Sequence, residues 1–197
     1  TLRDMATDDV FGALEGSHQT LAQIAASAGQ LGVKTAGIDE FTQSIAALTV
    51  ASNLGAEEAA QFAARFANVT GMPIEEVENL ANALVELGNN SAANETDIAN
   101  VANRLSTIAS LNFEPDEILG LSAAIASLGI SSELGATNVA KTLSDITASV
   151  AEGGPRLSEY AETAGMTAEA FAELNREDPS EAFEAFLRGL AKGLLED

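Results

Sequence analysis

Apolar residues recur along most of this chain at spacings of three and four, and at intervals a glycine cuts the pattern off. Leu21, Ile24, Ala25, Ala28 and Leu31 trace one stripe before Gly32, and Phe41, Ile45, Leu48 and Ala51 a second before Leu54-Gly55. Ala59, Phe62, Ala63, Phe66 and Val69 lead to Gly71, and Val77, Leu80, Ala81, Leu84 and Leu87 to Gly88. The scheme continues with Ile98, Val101, Ala102, Leu105, Ile108 and Ala109, then Ile118, Leu121, Ala124, Ile125 and Leu128 before Gly129. Val139, Leu143, Ile146 and Val150 run up to Gly153-Gly154-Pro155. Short helices are expected over 157–164, 167–174 and 179–195. Such stripes mark amphipathic helices facing a core. The expectation is an all-α, compact multi-helix domain of roughly ten short helices joined by Gly-capped turns. As one unbroken helix the 197 residues would span ~300 Å. Broken pieces that need one another's faces argue for a folded domain over a rod.

The junctions share a chemistry. Gly71-Met72-Pro73-Ile74-Glu75, Gly129-Ile130-Ser131-Ser132-Glu133 and Gly165-Met166-Thr167-Ala168-Glu169 are three versions of one unit. Glycine takes the left-handed position that ends a helix, and the apolar residue after it folds back on that helix. Ser131 or Thr167 can then cap the next helix, with Glu favoured in its first turn by the dipole. Asp178-Pro179-Ser180-Glu181 is a cleaner start, with Asp as N-cap, Pro at N1 and Glu at N3; Asn94-Glu95-Thr96-Asp97 reads similarly. The units recur at uneven spacing, which is not a strict solenoid repeat. Polar turn residues over Gly88–Asn94 suggest a surface loop and a subdomain joint.

Composition supports helices, because alanine is common while β-branched and aromatic residues are sparse. The charge is lopsided, with 30 acidic and 9 basic residues and a net charge of −21. Basic residues stand singly, from Arg3, Lys34 and Arg65 to Arg188 and Lys192, so direct nucleic-acid binding and an anionic membrane surface are disfavoured. Without cysteine there is no disulfide or thiolate chemistry. The longest uncharged stretches, such as Phe41–Ala56, carry Thr, Gln, Ser and Asn, and none resembles a membrane span. The start Thr1-Leu2-Arg3-Asp4 leads us to expect a piece of a longer protein.

Candidates for chemistry are weak. His18, the only histidine, lies beside Gln19 and Gln23 with no second histidine to share a metal. No nucleophile-elbow pattern accompanies it. The carboxylate pairs Asp8/Asp9, Glu57/Glu58, Glu75/Glu76 and Asp116/Glu117 mostly fall in expected first helical turns, where the dipole explains them. A glycosidase would want contrasting burial and aromatic platforms, yet Tyr160 is the only tyrosine and there is no tryptophan. The oxygen-rich run Asn89, Asn90, Ser91, Asn94, Glu95 and Asp97 lacks the order of an EF-hand loop. Gly12 and Gly16 have a helix-packing spacing that carries little weight outside a membrane. The eight phenylalanines read as core. No catalytic, cofactor-binding or metal residue is expected, no cofactor is implied, and the chain reads as a non-enzyme.

From about Leu54 to Leu190 a run of signatures stands in order. Leu87-Gly88-Asn89-Asn90 and Glu95-Thr96-Asp97-Ile98 come first, then Ile118-Leu119-Gly120-Leu121-Ser122-Ala123-Ala124, Leu128-Gly129-Ile130-Ser131 and Gly135-Ala136-Thr137. They are followed by Ala164-Gly165-Met166-Thr167-Ala168-Glu169-Ala170-Phe171, Glu177-Asp178-Pro179 and Ala185-Phe186-Leu187 before Gly189-Leu190. In this the chain resembles the core region of the tail tape measure proteins of long-tailed bacteriophages and related prophages. It departs at Glu133-Leu134-Gly135-Ala136-Thr137, where one glycine stands in place of two, so that the turn tightens or continues as helix. Residues 1–53 match loosely.

The resemblance implies three stretches: an N-terminal helical segment over 1–53, the tape-measure core over 54–190, and the end of a fragment over 191–197. It implies a structural component of the virion, held in the tail lumen, assembled in the host cytoplasm and acting in tail length determination, tail assembly and genome ejection. The implied partners are the tail tube protein, tail assembly chaperones and tail tip or baseplate proteins, and a homo-oligomer is compatible with it. A helical module docking a tail chaperone or baseplate hub is the alternative, followed by a bacterial α-helical adaptor or toxin domain.

Overall fold

A computed structural model describes residues 17–109, 113–129 and 131–196. Those residues form ten α-helices and two single 3-10 turns, with no strand among them. The helices are α1 (Ser17–Gln30), α2 (Ile38–Ala51), α3 (Ala56–Thr70), α4 (Val77–Asn90) and α5 (Glu95–Ala109). They continue as α6 (Pro115–Ser127), α7 (Ser132–Glu152), α8 (Pro155–Thr163), α9 (Ala168–Glu177) and α10 (Pro179–Glu196). The fold is all-α, as the periodicity requires. The longest helix, α7, has 21 residues and extends ~32 Å. The chain divides into two compact units, 1–110 with 114–136 and 111–113 with 137–197, the boundary falling inside α7 after Ala136.

In the first unit every helix packs on the next and on the next but one. Thus α1, α3 and α5 make one layer and α2, α4 and α6 the other. Helix α3 lies at the middle of this stack and is buried on much of its circumference. Alanine makes that feasible: Ala59, Ala60, Ala63, Ala64 and Ala67 are all buried, so neighbouring helices come close on several sides. Phe62 and Phe66 fill the remaining space, their ring centroids 5.6 Å apart. Leu21, Ile24, Phe41, Ile45, Leu84, Ile98, Leu105 and Ile118 complete the interior. Buried hydroxyls bond back to their own helices: Thr42 donates to the Ile38 carbonyl and Ser122 to that of Ile118, both at 2.6 Å. No buried side-chain polar atom among the described residues lacks a partner.

The second unit is built from α8, α9, α10 and the greater part of α7. Helices α8, α9 and α10 contact one another pairwise. An aromatic cluster lies among them, with Tyr160 5.3 Å from Phe186 edge-on and Phe183 between Phe186 and Phe113 at 6.4 and 6.5 Å. Phe171 is fully buried. At Gly189 a β-carbon would fall on the Thr163 carbonyl. This mid-helix glycine lets α10 lie against the backbone at the end of α8.

Five of the glycine stops are where the sequence places them, whereas Gly55, with φ −68°, is the N-cap of α3. Gly32, Gly71, Gly129, Gly153 and Gly165 all have φ between 67° and 88°. At the end of α8, Gly165 N–H donates to Glu162 and Met166 N–H to Ala161, at 3.0 and 2.8 Å, which is the Schellman pattern. Gly32 and Val33 repeat it on α1. Three expectations are corrected. Gly88 does not end its helix, since α4 continues to Asn90. Gly88–Asn94 is not a joint between units, because both sides lie in the first unit. The α6 stripe is also rotated: Ile118, Leu119, Ser122, Ala123 and Ile125 are buried while Ala124 and Leu128 are exposed. The one-glycine stretch Glu133–Thr137 continues as helix within α7. Gly153 and Gly154 both take positive φ, 73° and 89°, and lead into Pro155 at the head of α8.

Candidate functional site

The polar residues singled out from the sequence serve mainly as helix punctuation. The Asp178 carboxylate accepts from Glu181 N–H at 3.0 Å and from the Ser180 hydroxyl at 2.9 Å. These bonds, the Glu181 amide first, hold its carboxyl below the usual aspartate range. Thr167 caps α9 by accepting from Ala170 N–H at 3.2 Å. Ser131 takes the same place for α7, at a longer 3.4 Å from Leu134 N–H. At α5, Asn94 accepts from Asp97 N–H at 2.9 Å and its amide donates to the Asp97 carboxylate at 2.8 Å.

Among the described residues the carboxylate pairs and the histidine form no metal-holding group, although Glu76 and Asp116 line one cleft. His18, Gln19 and Gln23 are exposed on α1. Glu57 and Glu58 are exposed in the first turn of α3. Glu75 and Glu76 belong to the 3-10 turn Ile74–Glu76 ahead of α4 and not to its first turn. Asp116 and Glu117 start α6, where Glu117 accepts from Glu114 N–H at 2.8 Å. The oxygen-rich run is divided: Asn89 and Asn90 lie in α4, Ser91 accepts from Ala93 N–H, and Asn94 is the cap just described. No group of three or more His, Cys, Asp or Glu among the described residues could hold a metal ion. Asp8, Asp9, Gly12 and Gly16 lie outside the described residues.

What the structure adds is surface relief that local spacing could not show. In the first unit the turn between α3 and α4, the outer face of α4 and the start of α6 enclose an open cleft of about 450 Å³. Met72, Pro73, Leu80, Ala83, Pro115 and Leu119 supply most of its wall, and Glu76, Glu114 and Asp116 its charged groups. A second cleft of about 440 Å³ between α2 and α4 is lined by Glu40, Gln43, Ser44, Glu75, Glu78 and Asn82 together with Leu48, Ile74 and Val85, a more polar lining than that of the first. Large apolar side chains are exposed at Leu128 and Leu134 in the first unit and at Leu187 and Leu190 on α10 in the second. No helix of the described residues is long and apolar enough to cross a membrane.

No curated protein and no solved structure matches the chain. The model of the family described as phage-related minor tail protein matches residues 2–193, which takes in both units, residues 1–53 included. A helical, cysteine-free chain whose polar residues serve as caps is consistent with a structural role in a tail. The chain belongs to the phage-related minor tail protein family, and is a structural protein of phage tails.

Proposed function

We propose that this chain is a folded domain of a tail tape measure protein, acting in tail assembly and length determination as a plug or docking platform, without enzymatic activity. Its site of action would be the tail lumen, entered during assembly in the host cytoplasm and vacated at genome ejection. Residues 54–190 would form the tape-measure core, with 1–53 as an N-terminal helical segment packed on it. The partners would be tube subunits, tail chaperones and tip or baseplate proteins. The observation that carries this reading is the pairing of the family match with helices that stop every 9 to 21 residues. A ruler works by extended length, whereas glycine-stopped, mutually packed helices present surfaces.

The test is an in-frame deletion of residues 17–196 in the parent gene, with tails imaged by electron microscopy. A docking or plug domain predicts failed or aberrant assembly. Tails shortened by ~270 Å, which 180 residues of extended helix would account for, would assign the region to the tape itself. Infectious particles with unchanged tails would overturn the proposal.

A further inference from the structure

The cleft between the α3–α4 turn and α6 has a chemistry that goes beyond a role in the tail. Its floor is apolar: Leu80 and Leu119 are 5% and 1% exposed, and Met72 lies half-buried beside them. Its rim carries the carboxylates of Glu76, Glu114 and Asp116, all exposed, and no Lys, Arg or His lines it. An occupant that satisfies both must present an apolar group inward and positive charge outward. We propose that this cleft docks a basic amphipathic segment of a partner protein, with one apolar side chain as anchor and Lys or Arg on either side of it.

Two physical points select that occupant. The chain's net charge of −21 draws in a cationic partner over a distance and repels a second copy of itself. Long basic side chains can lay their methylene stems on apolar surface while the charged heads reach exposed carboxylates. The apolar floor would supply most of the affinity, and the rim would set encounter rate and specificity. The α2–α4 cleft is also acidic, but polar groups make up a larger share of its lining, so it would hold the same segment less well.

The experiment uses the isotope-labelled 197-residue chain and a hexapeptide of two leucines flanked by two lysines at each end. Two analogues serve as controls, one with serine for leucine and one with glutamate for lysine. The leucine–lysine peptide should move the amide signals of Met72, Leu80 and Leu119. The serine analogue should bind at least about tenfold more weakly, and the glutamate analogue should not bind. Ala83→Arg, which puts a cation into the cleft, should abolish the shifts. Glu76→Gln with Asp116→Asn should weaken binding severalfold and flatten its salt dependence, with circular dichroism confirming the fold. Equal binding of the serine analogue, shifts centred on the α2–α4 cleft or on Leu187 and Leu190, or wild-type binding by the folded double variant would each overturn the assignment.

Discussion

The two units reach a packed interior by different means. The first spreads burial over six helices in two layers, with alanine thinning α3 until neighbours close on it from several sides. The second has fewer helices and depends on their ends and on one backbone contact: the Schellman turn at Gly165, the caps at Thr167 and Asp178, and Gly189 against Thr163. A broad core tolerates a poor helix end better than a missing ring. In the small unit a single terminus or glycine carries more of the structure. Substitutions should therefore separate the units by type.

The largest effect belongs to the stack. Phe66 is fully buried in α3, among alanines too short to refill the space. Phe66→Ala should cost about 3–5 kcal/mol, with amide exchange quickening in α3 and α5 first. A loss under about 1 kcal/mol would mean that the layers collapse onto the gap, and that the stack is less rigidly packed than its burial implies.

Next come two mid-helix glycines, one in each unit, whose substitutions should differ in sign. Gly189→Ala forces α10 off the α8 backbone and should cost about 1–3 kcal/mol. Tyr160 is the only tyrosine and there is no tryptophan, so its fluorescence reports the second unit by itself. Gly120 lies inside α6 with open space where its β-carbon would be. Gly120→Ala should therefore stabilise, by roughly 0.5–1 kcal/mol. If both changes destabilise, Gly120 faces a contact that its free surroundings do not suggest.

This contrast also explains what was legible in advance. Helix number, the left-handed stops and the caps at Asn94, Thr167 and Asp178 are local chemistry, readable over five or six residues. The rotated face of α6 was not, because Ile118, Leu119, Leu121, Ala123, Ala124, Ile125 and Leu128 surround that helix with apolar groups and leave no single stripe. Burial of Ser122 gave no warning either, since its hydroxyl is satisfied by its own helix at Ile118. Gly88 looked like a stop because a glycine's role depends on what approaches it, here the Glu95 side chain. The acidic cleft joins residues 70–83 to 114–119, a separation that no local spacing rule spans. The order of helices in the two layers is likewise a property of packing, not of any repeat.

The smallest effect tests whether caps matter to the second unit as charges or as acceptors. Asp178 is held below the usual aspartate range by the Glu181 amide and then the Ser180 hydroxyl. A carboxyl whose folded pKa is depressed adds stability above its unfolded value, about 3.9, and loses it as pH falls through the lower folded value. Asp178→Ala should lower the Tyr160-reported transition temperature at pH 7, and the gap to the parent chain should narrow as pH drops below about 4. Asp178→Asn keeps an oxygen that can accept from Glu181 N–H but cannot titrate, so it should fall between the two at pH 7 and approach the parent in acid. If the alanine gap stays constant from pH 7 to 3, the ionised carboxylate contributes nothing beyond a neutral acceptor. The end of α9 would then be joined to α10 by geometry alone, and the second unit would resemble the first in depending on burial more than on its helix ends.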